Sequence, residues 1–274
     1  MRVLYWILWS VAAILAIIYV LLFSSVGNSI LKPYIEKIAS HKSGMDIKLD
    51  EFKLAISHLD ITASVNNALK ARVYGNYSLF SQALDLNYTA ATSDLSNLGI
   101  AIKDDINLKG KVIGKLSNFI ADGSGKIVGS NLRFAARIKD FAPLEIKLDA
   151  KSLNLAQITA IALGKPYITG NMNIQADITS KDTLYSGTAS LNIPKAITNN
   201  ELIATDYGIN LPNNFTIKAD SNLNLEGRTA KAKSIITTPI AVAAALNSIY
   251  NIDENVLNSD LNLNIPNLAK LEPI

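Results

Sequence analysis

Alternation between apolar and polar residues is the dominant pattern along most of the chain. In 168–178, Ile168, Met172, Ile174 and Ile178 share one phase, while Thr, Asn, Gln and Asp residues occupy the other. Because successive side chains of a β-strand point to opposite faces, this segment predicts a strand with one apolar and one wet face. The same period recurs through most of the chain, so we expect an antiparallel meander of roughly ten to thirteen strands.

Further segments have the same one-sided character. Along 106–116, glycines and aliphatic residues share the apolar phase of the pattern. Glycine in this phase indicates a bend or a close approach in a curved sheet. Turn-forming residues at 122–125 (DGSG) and at 186–187 (SG) are predicted to separate neighbouring strands. The apolar positions that we expect to line a groove are Ile106, Leu108, Val112, Leu144, Ile146, Leu148, Ile168, Met172, Ile174 and Ile178.

A sheet with one apolar face must cover that face. The cover is either a second sheet of the same chain, as in a closed sandwich, or a ligand or partner. Aliphatic side chains suit flexible acyl chains, but they also fill ordinary sandwich cores. The periodicity leaves both interpretations open.

Few segments have a helical period. Leu31, Tyr34, Ile35 and Ile38 predict a short amphipathic helix over 30–39, with a stop at Gly44. Two more short helices are predicted, as ordinary core helices or as plugs at an end of the sheet. They cover 153–163, which ends before Gly164, and 239–250, which begins with Pro239.

The amino-terminal segment is the one long apolar run. Residues 3–26 contain no charge, and 24 residues at roughly 1.5 Å each make about 36 Å of helix, enough to cross a bilayer. Secretory signal peptides have shorter apolar stretches of about 7–15 residues, so we predict an uncleaved, single-pass signal anchor. A weak cleavage signal at 25–27 is the alternative.

These patterns together predict a mainly β protein. Its N-terminal transmembrane helix is followed by an elongated, curved antiparallel β-sheet, groove-like, with a few short helices. The predicted divisions are 1–27 as the transmembrane signal anchor, 28–44 as a juxtamembrane amphipathic helix and linker, and 45–274 as the β-rich domain.

Composition removes most chemical functions. The chain has no cysteine and two histidines, which argues against disulfide frameworks, thiolate metal sites and most triad chemistry, so no catalytic residue, metal site or cofactor is predicted. A net charge of +3 from 26 basic and 23 acidic residues lacks the footprint of a nucleic-acid binder. Lys32, Lys37 and Lys42 are candidate contacts to anionic headgroups, with ordinary solvated lysines as the alternative.

The orientation in the membrane is not set by charge. Only Arg2 precedes the apolar run and the three lysines follow it, so a count of positive charges favours a cytoplasmic body. Large domains translocate largely regardless of charge, however. For that reason, and because of the resemblance described next, we expect the body outside the cytoplasm.

The order of these features resembles a known family. The membrane anchor, then NSILKPYIEKIASHKSGMDIKLDEFKLAI, then glycine-punctuated strands such as PYITGNMNIQADI and LYSGTASLNIP, are similar to the AsmA-like family, including its TamB and YdbH branches. That resemblance implies an inner-membrane anchor, a periplasmic β-rich groove with an apolar interior, and a part in phospholipid transport between inner and outer membranes and in outer-membrane integrity. It assigns no catalytic or specific binding residue.

The 230 residues of 45–274 are few for this family. About a dozen strands at roughly 4.8 Å each stack to nearly 60 Å, too short to bridge the envelope alone. We therefore expect a short member or the N-terminal section of a longer protein. The predicted function is the holding or passing of phospholipid acyl chains, with no reaction catalysed. The alternative is a membrane-tethered β-sandwich scaffold that binds another envelope protein.

Overall fold

The fold is a single large β-sheet with a few helices. The computed structural model describes residues 22–92, 106–181, 184–239 and 243–264. Within these residues, fourteen strands form one antiparallel sheet whose spatial order follows the sequence. The first and last strands do not pair with each other, so the sheet is curved but unclosed. The predicted mainly β, antiparallel architecture is confirmed, and the strand number exceeds the predicted ten to thirteen.

The elements have the following bounds. The helices are α1 (Ser25–Ser43), α2 (Leu155–Leu163) and α3 (Asn200–Tyr207). The strands are β1 (Ile47–Leu54), β2 (His58–Val65), β3 (Leu69–Tyr77), β4 (Ala83–Thr92), β5 (Ile106–Lys115), β6 (Asn118–Ile127), β7 (Ser130–Lys139), β8 (Ala142–Asn154), β9 (Ile168–Lys181), β10 (Leu184–Thr198), β11 (Thr216–Gly227), β12 (Thr229–Thr237), β13 (Ala243–Asn251) and β14 (Val256–Asn264).

Short turns connect many of the neighbouring strands. Between β6 and β7, Val128 and Gly129 have φ values of 51° and 69°. Two consecutive left-handed residues are typical of the tight hairpin turn whose twist matches that of the flanking strands. Asp140 and Phe141, between β7 and β8, also have positive φ values, of 49° and 63°. The strand register is therefore set locally, hairpin by hairpin.

The two turns predicted from glycine are wrong. Residues 122–125 lie inside β6, and 186–187 lie inside β10. The physical reason is a close approach between strands. A Cβ at Gly125 would lie 1.9 Å from the carbonyl oxygen of Asn107 on β5, and one at Gly187 would lie 2.1 Å from that of Asp177 on β9.

The predicted helix over 239–250 is also wrong, because Ala243–Asn251 forms β13. An alanine run has high helix propensity and no apolar–polar alternation, so the local pattern favoured a helix. In the sheet, β13 pairs along its whole length with β12 on one side and β14 on the other. These two ladders of main-chain hydrogen bonds override the local preference.

Helix α1 covers the free edge of β1. The predicted helix over 30–39 lies within α1, which ends at Gly44 with φ 70°. The Asn28 amide donates to the carbonyl of Leu54 at 3.1 Å, and Glu36 accepts from the amide of Leu49 at 2.7 Å. An unpaired strand edge is prone to pairing with other chains, and here side chains of α1 occupy its hydrogen-bonding groups.

The predicted membrane segment, 3–26, lies mostly outside the described residues. Among the residues that the structure does describe, no helix is both long enough and apolar enough to cross a membrane.

Candidate functional site: an apolar groove

One apolar face runs across the whole sheet. The strand register places one residue from each strand in a single cross-strand row, which we call the open row. It contains no charged side chain, and its only side-chain hydroxyl belongs to Tyr250. Its members are Leu54, Leu59, Gly75, Leu86, Val112, Ala121, Ala136, Ile146, Ile178, Gly187, Leu225, Ala230, Tyr250 and Leu257.

The open row is only partly covered. Leu86 is buried, Ile146 and Leu257 are exposed, and the other eleven members are half-buried. Half-buried side chains touch their neighbours along the row, and among the described residues no second sheet lies over them. The row is therefore a continuous apolar surface rather than a closed core.

The same face becomes a true core at one end of the strands. There α2 packs against β8 and β9. We call this region the covered end; its buried members are Ile106, Val128, Ala150, Leu153, Leu155, Met172 and Ala196. Helix α2 therefore covers one end of the apolar face, in agreement with its predicted role as a core or plug helix.

Helix α2 is fixed at its start by a cap. The Asn154 side-chain oxygen accepts from the amides of Ala156 at 3.0 Å and Gln157 at 3.3 Å. An asparagine cap satisfies amides that have no partner within the helix. Leu155 and Thr159 are then buried against the sheet, so the cap sets the position at which α2 covers it.

The ten predicted lining residues divide between these two regions. Ile106 and Met172 are buried in the covered end, and Leu108, Ile168 and Ile174 pack against it. The other five lie on or beside the open row: Val112, Leu144, Ile146, Leu148 and Ile178. The sequence prediction did not include the row members contributed by β1–β4, β6, β7 and β10–β14, although the alternation in several of these strands, such as Leu84 and Leu86, is the same signal.

An aromatic side chain lies over two glycines between the two regions. Tyr88 extends from β4 across β5 and donates to the carbonyl of Asp122 on β6 at 2.9 Å. A Cβ at Gly110 would lie 2.5 Å from the Tyr88 hydroxyl oxygen, and one at Gly123 would lie 2.3 Å from it. Burial raises the pKa of this hydroxyl, so it stays protonated as a donor. Gly110, predicted as a bend or close approach, and Gly123, predicted as part of a turn, therefore both make room for Tyr88.

The opposite face is polar and carries ion pairs. Arg72 donates two hydrogen bonds to Asp60, at 2.7 and 2.8 Å, and lowers the pKa of that carboxyl. Lys147 lies 3.1 Å from Glu145 and 3.6 Å from Asp177, and its ammonium lowers the pKa of Glu145. Such exposed pairs add little stability, but they fix which side of the sheet faces water.

A sizeable recess in the sheet is distinct from the predicted groove. It measures ≈ 780 Å³ and extends across β9–β13. Ten of its fifteen lining residues have the polar phase, and none belongs to the ten predicted lining residues. The ten polar-phase residues are Gln175, Asp177, Thr188, Ser190, Asn222, Asn224, Lys231, Lys233, Asn247 and Ile249. The recess therefore belongs mainly to the polar face.

The three candidate membrane-contact lysines differ in solvent exposure. Lys32 is half-buried, with its ammonium 3.5 Å from the carbonyl of Asp50 at the edge of β1. Lys37 and Lys42 are exposed. No group of three or more His, Cys, Asp or Glu side chains among the described residues could hold a metal ion.

A small polar cluster ties α3 to the start of β9. Lys165 donates to both carboxylate oxygens of Asp206 at 2.7 Å, and the Tyr167 hydroxyl donates to one of them at 2.7 Å. The Lys165 ammonium, with help from Tyr167, lowers the pKa of Asp206, while the Asp206 carboxylate raises the pKa of Tyr167. Each side chain is held by another of the cluster, so the arrangement serves as a structural tie.

Comparison with known proteins adds no relative. No family model matches the sequence, and no curated protein or solved structure matches it. The resemblance to the AsmA-like family therefore stays a prediction from the sequence.

Proposed function

We propose that the protein is an AsmA-like, single-pass protein of the bacterial inner membrane whose periplasmic sheet holds or passes phospholipid acyl chains along the open row. Segment 3–26 is its anchor in this proposal. The protein catalyses no reaction, and it contributes to lipid transport between the two membranes and to outer-membrane integrity.

The continuity of the open row is the observation that supports this function. Fourteen strands spaced by roughly 4.8 Å give a path of about 60 Å without a charged side chain. Half-exposed aliphatic surface gains free energy when an apolar ligand removes it from water. A soluble protein rarely leaves so extended an apolar surface without an occupant.

The direct test compares neighbouring residues on opposite faces of one strand. The photo-crosslinking residue p-benzoyl-phenylalanine is placed at Ile178 on the open row and, as matched control, at Asp177 on the polar face, in the full-length chain in a bacterial envelope. We expect phospholipid adducts at Ile178 and none at Asp177, read by mass spectrometry. The same contrast is expected between Val112 and Lys111. Equal lipid labelling at both faces, or none, would refute the groove.

One observation favours the scaffold as a second candidate function. All nine residues of β14 are exposed, and no described residue pairs with its outer edge. An open edge strand can accept a strand from another protein through main-chain hydrogen bonds. Under this alternative, crosslinkers at Asn258 and Asn262 of β14 capture a protein, whereas the one at Ile178 captures no lipid.

A further inference from the structure

Helix α1 has an apolar stripe on its outward surface. Val26, Ile30, Tyr34 and Ile38 are spaced four residues apart, and they are 65%, 49%, 65% and 56% exposed. Side chains four apart lie one above another along a helix. The stripe is therefore continuous over about three turns, and each of its four residues is at least 49% exposed.

The other side of α1 fixes this stripe in place. Asn28, Glu36 and Ser40 hydrogen-bond to main-chain groups of β1, with Ser40 accepting from the amide of Ile47 at 2.9 Å. Gly27 and Asn28 are the buried residues of the helix. Because α1 is held along the edge of the sheet, it cannot roll to hide the stripe without losing these bonds.

The exposed charged residues of α1 itself have one sign. Lys37 and Lys42 are both exposed, and so is the neighbouring His41. Glu36 is the only acidic residue of Ser25–Ser43, and its carboxylate faces the sheet at the Leu49 amide. An apolar stripe flanked by lysines is complementary to an anionic lipid surface, where the side chains enter the headgroup boundary and the ammonium groups meet phosphates.

Helix α1 begins directly after a residue with extended backbone. Ser24, the N-cap, has extended backbone with φ −92° and ψ 163°, and its hydroxyl accepts from the amide of Gly27 at 3.1 Å. An extended residue at this position separates α1 from the chain before it, so the two need not share one axis. The apolar segment 3–26 reaches this junction.

We propose that α1 docks on the anionic surface of the membrane that holds segment 3–26, with Val26, Ile30, Tyr34 and Ile38 in the headgroup boundary. This contact fixes the edge of the sheet at β1 against the bilayer. The proposal rests on the anchoring part of the proposed function and is independent of what the groove holds.

The cysteine-free sequence permits a site-specific test. Tyr34→Cys and Ile38→Cys are labelled with the environment-sensitive fluorophore NBD in the full-length chain, reconstituted into phosphatidylcholine–phosphatidylglycerol vesicles. Thr188→Cys, on the polar face of β10, is the matched control. We expect a blue-shifted emission that doxyl-labelled lipids quench at positions 34 and 38, and an aqueous, unquenched emission at position 188.

Two further measurements separate the outcomes. Adding Lys37→Glu and Lys42→Glu is expected to reduce the shift, and an unchanged shift would overturn the anionic-surface part of the proposal. Flotation with vesicles reports the anchor independently. Chains that float but keep aqueous labels at 34 and 38 overturn the docking of α1 while the anchor stands, and chains that do not float overturn both. Labels that are shielded but unquenched indicate a protein over the stripe and also overturn the proposal.

Discussion

Strand β9 passes through both regions of the apolar face. At its start, Met172 is 6% exposed beneath α2, with Ala196 of β10 and Leu153 of β8 around it. Six residues further along, in the same phase and about 20 Å away, Ile178 is half-buried and lies outside the core cluster around α2. The two side chains are chemically alike, so the presence of a covering helix decides which is core and which is groove. Four measurements test whether α2 alone makes this difference.

The largest effect is expected from placing a charge at each position. Met172→Asp puts a carboxylate into the covered end without a partner, and we expect a loss of at least roughly 3 kcal/mol in the free energy of unfolding. Ile178→Asp loses only part of one apolar contact, about 1 kcal/mol, and keeps the fold while it abolishes lipid crosslinking from p-benzoyl-phenylalanine at position 112. Urea unfolding followed by circular dichroism measures both. Equal destabilisation would mean that the open row is core as well.

A smaller effect is expected between the two regions, at Gly123. Gly123→Ala brings a Cβ to within 2.3 Å of the Tyr88 hydroxyl oxygen and 2.8 Å of the Phe134 ring, and overpacking of this kind costs about 1–3 kcal/mol. Tyr88→Phe removes the hydroxyl, so the double variant is expected to be more stable than the sum of the two single losses. Strict additivity, measured by urea midpoints, would show that Tyr88 does not lie over Gly123 in solution.

The third effect acts on the cover alone. Asn154→Ala removes the cap of α2 and is expected to cost about 1 kcal/mol. Hydrogen exchange should then accelerate around Leu153 and Met172, with no change at Val112 and Ile178. Asn199→Ala, which removes the corresponding cap of α3, is the control and should leave the covered end protected. Accelerated exchange along the open row would show that α2 supports the whole sheet.

The smallest effect is a pH dependence of the free energy of unfolding, which arises from the polar cluster of Lys165, Tyr167 and Asp206. The pKa of Asp206 in the folded protein lies below its ordinary value of about 3.8 because of Lys165, so the tie contributes stability above that value. The contribution falls away as the pH drops through the lower folded pKa. We expect wild type to lose more of its urea midpoint than Asp206→Asn between pH 7 and pH 3. An identical pH profile for the two proteins would show that the tie is absent in solution.

Strand faces and helix ends could be predicted from the sequence because they depend on residues close together in the chain. Alternation fixes the face of each side chain, so the strand over 168–178 and the one-sided sheet could be predicted residue by residue. Gly44 and Gly164 were recognised as helix ends because the left-handed backbone they adopt favours glycine.

Other features depend on distant parts of the chain. The glycines at 123, 125 and 187 are typical turn residues in the sequence. In the structure they lie in strands, because residues far away in the sequence, such as Asn107 and Tyr88, leave no room for a Cβ at these positions. The alanines of β13 became a strand because β12 and β14 both pair with it.

A period of two in the sequence is enough to show which side chains share the apolar face of a strand such as β9. Which of these side chains are covered depends instead on where α2 packs. Ile106 and Ile178 both lie in the apolar phase of an alternating strand, but Ile106 is buried and Ile178 is only half-buried. The difference arises because α2 packs over one end of the apolar face and does not reach the other end. Burial on this face depends on where the nine-residue helix α2 packs against the sheet. The alternation within a strand carries no information about that place.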